Sequence, residues 1–126
     1  MTASKLGKVQ LKIMTVLWEL GEATARQITD QLNNEEPIAH STVQTLLRGL
    51  MEKGAVTHKT QGRTFVFKPT IAEDKVRKTA TRDLLTRVFD GNAGDLVSFL
   101  LKNERVSREE LDQIKKLINQ KTKKDK

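Results

Sequence analysis

The sequence contains no cysteine. Disulfides, thiolate metal sites and cysteine nucleophiles are therefore excluded outright. Long apolar runs are also missing. No stretch approaches the roughly 20 residues a membrane helix needs, and no basic start leads into an apolar block of the signal-peptide kind. The expectation is a soluble, cytoplasmic protein. His40 and His58 are the only histidines, and a zinc site would need carboxylates from elsewhere in the chain. Neither a glycine-rich phosphate loop nor a plausible nucleophile–base set is present. No enzymatic activity, metal or cofactor is expected.

Apolar residues make up 37% of the chain and charged residues 31%. That balance suits a small helical protein, or one that covers part of its apolar surface with a partner. The 126 residues allow one core and a small appendage. The net charge of +7 fits a polyanionic partner, nucleic acid being the commonest, although a merely solvated basic surface would give the same figure. Residues 1–70 carry nine Lys/Arg against six Asp/Glu, and residues 71–126 fourteen against ten, so neither half holds all of the excess.

Between Gly7 and Gly21, Val9, Ile13, Val16, Leu17 and Leu20 recur at helical spacing, with Met14 and Trp18 beside them. Trp18, the only tryptophan, reads as a core residue. A second helix opens on Thr24 with Gln27 three residues on, the spacing of a capping box, and buries Ala25, Ile28 and Leu32. The polar segment Asn33 to Pro37 reads as a loop. A third helix runs from His40 to Lys53, with Ser41 and Gln44 again at capping-box spacing. Its apolar stripe is Val43, Leu46, Leu47 and Leu50. After Gly54 the period changes. Ala55 to Thr60 and Thr64 to Lys68 read as strands joined through Gln61-Gly62-Arg63, and Pro69 closes the second.

Three helices followed by a hairpin is the order of a winged helix-turn-helix, in which the third helix enters the major groove. The side of that helix opposite the stripe shows Ser41, Thr42, Gln44, Thr45 and Arg48, with no carboxylate before Glu52. Arginine can read guanine bidentately and glutamine adenine, while a threonine methyl can meet that of thymine. The helix N-terminus also offers free N–H groups to a phosphate. On the hairpin, His58, Lys59 and Arg63 are candidate backbone or minor-groove contacts, Lys68 lies next to it, and a solvated arginine is the alternative for Arg63. A protein-interaction module or a non-specific nucleic-acid binder is the rival reading. A protein-binding face would be expected to expose apolar or aromatic anchors, and this one has none.

From Ile71 onward the chain reads as helical, with a turn at Asp90 to Gly94 and a capping box at Ser107 and Glu110. Val76, Leu84, Leu85, Val88, Phe89, Leu96, Phe99, Leu100, Leu111, Ile114 and Ile118 form apolar stripes that three short helices cannot bury well alone, which argues for a homodimer. The expected organisation is a winged-helix DNA-binding domain over 1–70, a helical dimerisation domain over 71–120 and a basic disordered tail over 121–126. The fold class expected is mainly α with a small β-hairpin. The partners expected are double-stranded DNA with a palindromic operator and a second copy of the chain.

The runs Ile13-Met14-Thr15-Val16-Leu17-Trp18, Thr24-Ala25-Arg26, Ser41-Thr42-Val43-Gln44-Thr45-Leu46-Leu47, Lys53-Gly54, Gly62-Arg63 and Leu84 to Gly91 resemble the penicillinase repressor family (BlaI, MecI and CopY types). The resemblance spans roughly Leu6 to Ile118, and the Ser-Thr-Val-Gln-Thr-Leu-Leu segment is its most specific part. It implies a winged-helix domain, a helical dimerisation domain and operator-bound repression. In the antibiotic-responsive branch it further implies a regulatory protease that cuts an Asn-Phe bond in the region Leu96 to Leu101. This chain has Ser98-Phe99 there. The copper-responsive branch uses a cysteine-rich motif, which this chain lacks.

Overall fold

The computed structural model describes residues 6–124. Their order is α1 (Lys8–Leu20), β1 (Ala23–Thr24), α2 (Ala25–Leu32), α3 (His40–Glu52), β2 (Val56–Gln61), β3 (Thr64–Pro69), α4 (Glu73–Val88), α5 (Ala93–Asn103) and α6 (Arg108–Lys124). The chain is mainly helical with a small antiparallel sheet of order β1-β3-β2. Two compact units divide between Asp83 and Leu84.

In the first unit, Ile13, Met14 and Leu17 of α1 meet Ile28 and Leu32 of α2 and Val43, Leu47 and Leu50 of α3, with Ala23, Ala55, Val56 and Phe67 of the sheet closing the core. Each helix supplies residues at i, i+3, i+4 or i+7 spacing, so one face of each is covered. Gly21 ends α1 at φ 85°, a conformation that costs glycine little. The capping box of α2 forms as the spacing predicts. Thr24 Oγ1 accepts from Gln27 N at 3.1 Å, and Gln27 Oε1 accepts from Thr24 N at 2.8 Å. Thr24→Ala is therefore expected to cost about 1 kcal/mol, seen as a lower midpoint in thermal unfolding. An unchanged midpoint would remove the cap from the account of α2.

The third strand, β1, has no counterpart in the sequence reading. Two residues are too few to show an alternating pattern, and β1 exists because Ala23 and Thr24 pair with Phe67 and Val66. The hairpin itself pairs Gln61 with Thr64, leaving Gly62-Arg63 as a two-residue turn with Gly62 at φ 67°. Positive φ at the first turn residue alone is the type II′ pattern, which matches the twist of the strands.

Residues read as the start of the dimerisation domain belong to the first unit. Trp18 Nε1 donates to the Ile71 carbonyl at 2.9 Å. Val76, expected at the dimer interface, is only 6% exposed within a single chain, so it has little surface left for a partner. The second unit comprises the end of α4 with α5 and α6. Asn92 caps α5 through Asp95 N, and Ser107 and Glu110 form the expected reciprocal cap of α6. No residue of α5 or α6 is buried. Helix α6 runs through Lys124, so residues 121–124 are helical where a disordered tail was expected. The rest of that tail lies outside the described residues.

Candidate nucleic-acid interface

The start of α3 is held by a side chain of α2, Thr29, and by the C-cap of that helix, Asn33. Asn33 Oδ1 accepts from Ile38 N at 2.9 Å, and its Nδ2 donates to the Thr29 and Ile38 carbonyls. One amide thus fixes the loop between the two helices. Thr29 Oγ1 donates its single hydrogen to the Ala25 carbonyl at 2.7 Å. Its 3.2 Å contact with His40 Nδ1 must then be one it accepts, which puts a proton on Nδ1 of His40. His40 serves here to lock α3 onto α2.

The N-cap of α3 is Ala39, with no side-chain cap, and Ser41 lies inside the first turn. The capping role expected of Ser41 is therefore not found. The loop delivers the chain in extended form up to Ala39, so the helix begins at His40. Thr42 N already turns back to the Ala39 carbonyl at 3.1 Å, so the His40 and Ser41 amides are the ones left to an outside acceptor.

Val43, Leu47 and Leu50 are buried and Leu46 is half-buried, while Ser41, Thr42, Gln44, Thr45 and Arg48 are all exposed. The Thr45 hydroxyl donates to the Ser41 carbonyl at 3.1 Å. A cleft of about 480 Å³ lies beside this face, lined by Thr24, Ala25, Arg26, His40, Gln44, Arg48, Met51 and the wing residues Arg63, Thr64, Phe65 and Phe67. Among the described residues, no carboxylate lines it. Among the described residues, Arg26, Arg48 and Arg63 form no ion pair. Three guanidinium groups without counter-charges around one groove leave a positive field directed at solvent.

The wing sorts its candidates by face. Strand pairing puts His58 opposite Phe67, with Lys59 opposite Val66 on the other side of the sheet. The His58 ring packs on Phe65 at 4.3 Å and lies 5.8 Å from Phe67, half-buried. Lys59 forms an exposed 3.5 Å ion pair with Glu22. Of the three hairpin residues expected to touch DNA, only Arg63 lines the cleft with Gln44 and Arg48.

The sequence reading missed Arg26 and Phe65 as members of this groove. Arg26 stands in the first turn of α2, where the helix dipole disfavours a cation and no acidic residue is present. A residue set against its local preference is itself a signal of function. Phe65 is half exposed at the wing, where its ring packs on His58 at 4.3 Å and meets Phe67 edge-on at 6.4 Å.

A model of the family described as penicillinase repressor matches residues 6–120. The chain belongs to the penicillinase repressor family. Among its relatives, the penicillinase repressor of Bacillus licheniformis is 26% identical over 116 residues, covering 92% of this chain and 91% of that protein. The methicillin resistance regulatory protein MecI of Staphylococcus aureus (strain N315) is 20% identical over 117 residues, covering 93% and 95%. Among solved structures, the DNA-binding domain of the repressor BlaI aligns with a TM-score of 0.52 at 29% identity, over 57% of this chain and 88% of that one. A MarR mutant from E. coli complexed with operator DNA aligns at 0.55 over 92% of this chain and 75% of that one. At 17% identity this second likeness shows the winged-helix fold alone.

Proposed function

We propose that this chain is a homodimeric transcriptional repressor that binds a palindromic operator, acting as a regulator rather than an enzyme. One observation carries the reading: Gln44 and Arg48 of α3, Arg63 of the wing and Arg26 of α2 surround one cleft with no carboxylate among the described residues that line it. In this reading α3 enters the major groove, Arg48 and Gln44 meet base edges, and Ser41, Thr42 and Thr45 lie along the same face. Arg63 and Arg26 hold the phosphates on either side, and the His40 and Ser41 amides at the start of α3 add a further phosphate contact.

The dimer is supported by the second unit. Val88 is 65% exposed, Leu117 63%, Ile118 56% and Phe99 55%, with Leu84 and Leu100 also on the surface. Large apolar side chains exposed on all three helices of one small unit are what a partner would cover. Leu85, Phe89, Leu96, Leu111 and Ile114 of the same unit are half-buried. Such a dimer would carry two recognition helices, matching a palindrome whose half-sites lie about 34–36 Å apart, one turn of DNA. Control by a protease would act on Ser98-Phe99, and both residues lie within α5. Proteases take extended backbone, so α5 would have to open before that bond could be cut.

The test is binding to duplex DNA across a salt series. Random duplex is expected to bind weakly and lose affinity steeply with salt, alongside one tight palindromic site. Arg48→Ala should cost about 1–3 kcal/mol at that site and relax the preference for the base it reads. Arg63→Ala should weaken binding to all sequences alike and shallow the salt slope by about one. Binding that ignores salt, or an unchanged base preference in Arg48→Ala, would overturn the assignment.

A further inference from the structure

Helices α1 and α3 meet at a polar joint that neither the core nor the DNA-facing surface explains. Gln10 is 8% exposed, one of few buried polar side chains. Its Oε1 accepts from Gly7 N at 3.1 Å and from Lys53 Nζ at 2.8 Å. Two donors converge on this atom, which identifies it as the amide oxygen rather than the nitrogen. Lys53 is the C-cap of α3. The other end of the same amide faces Gly49, where an added Cβ would stand 3.0 Å from Gln10 Nε2. Gly49 thus leaves the space that the amide occupies.

We infer that Gln10, seated against Gly49 and bonded to Lys53, is a positioning residue that sets the rotation of the recognition helix. The inference rests on the DNA-binding reading and adds to it what holds α3 in register. The apolar contacts of Ile13 and Leu17 with Val43, Leu47 and Leu50 are non-directional and tolerate a roll of one helix on another. A charge-assisted hydrogen bond does not, because it weakens steeply as its distance and angle change. The leverage is large. A roll of about 10° moves a side-chain tip about 6 Å from the helix axis by about 1 Å. A displacement of that size exceeds the roughly 0.5 Å within which a binding constellation must be held. Arg48 and Gln44 stand on the far side of the helix from this joint and would be displaced together.

The experiment compares full-length Gln10→Leu, Gln10→Glu and Gly49→Ala with the parent, well below their melting temperatures. Glutamate keeps an oxygen for both donors, and leucine keeps only the volume. Residual dipolar couplings of the free proteins report the orientation of α3 against α1. Gln10→Leu and Gly49→Ala are expected to rotate α3, with Gln10→Glu retaining the parental angle. Operator affinity should fall about tenfold in the two rotated variants, with affinity for random duplex unchanged, since phosphate contacts carry no sequence register. Unchanged couplings in Gln10→Leu overturn the inference whatever DNA binding shows. A lower melting temperature with an unaltered operator-to-random ratio overturns it too, since that is what a purely structural amide would give. If the parent has no operator, the DNA-binding reading fails while the couplings still decide whether Gln10 sets the angle.

Discussion

Replacing both Leu84 and Val88 by glutamate is expected to give a monomer that binds the operator roughly 10²–10⁴-fold more weakly than the parent. Both residues are exposed within one chain, at 44% and 65%, so the substitutions leave the fold of each unit intact. At a dimer interface they would place four carboxylates in a desolvated apolar layer, a cost that association cannot recover. Each half-site would then bind on its own, without the effective concentration that a tethered second domain provides. Sedimentation velocity and operator titration read the two consequences separately. A variant that still sediments as a dimer would put the interface elsewhere.

The second large effect is expected on the opposite side of the recognition helix. Leu47→Ala removes a side chain that is 1% exposed at the centre of the first unit, where α1, α2 and α3 meet. The loss should be about 2–5 kcal/mol, transfer and cavity terms together. That is a large share of the roughly 5–15 kcal/mol a whole domain has. Urea unfolding measures it, with Thr45→Ala as the control: Thr45 is exposed and two positions away, and surface changes stay within about 0.5 kcal/mol. Similar losses in both variants would show that the two faces of α3 have been misassigned.

Much of this was readable in the sequence because α3 obeys one rule along its whole length. Val43, Leu47 and Leu50 repeat at the helical period, and what lies opposite them has to face outward. The turn at Gly62 was legible because few residues take its positive φ. What could not be read depends on pairs distant in the chain. Strand β1 exists only through its register with Val66 and Phe67, and the separation of His58 from Lys59 follows from which residue sits opposite each in β3. The start of α3 was misread at Ser41 because capping spacing is a local signal, whereas Asn33 fixes the entry to the helix through its bonds to Thr29 and Ile38. Val76 matched the apolar pattern of an interface but is buried by its own chain. Arg26 was not legible as a DNA contact because only the folded chain brings the first turn of α2 to the cleft beside α3 and the hairpin.

Trp18, the single tryptophan of the chain, is half-buried, and its indole N–H is bonded to the Ile71 carbonyl just ahead of α4. That arrangement makes it a built-in optical probe. Indole emission responds to hydration and to the state of its N–H, so loosening of the segment that leads out of the winged helix would shift the spectrum to the red. With no second tryptophan to blur the signal, unlabelled protein can report in real time whether operator binding or cleavage within α5 is felt at Ile71.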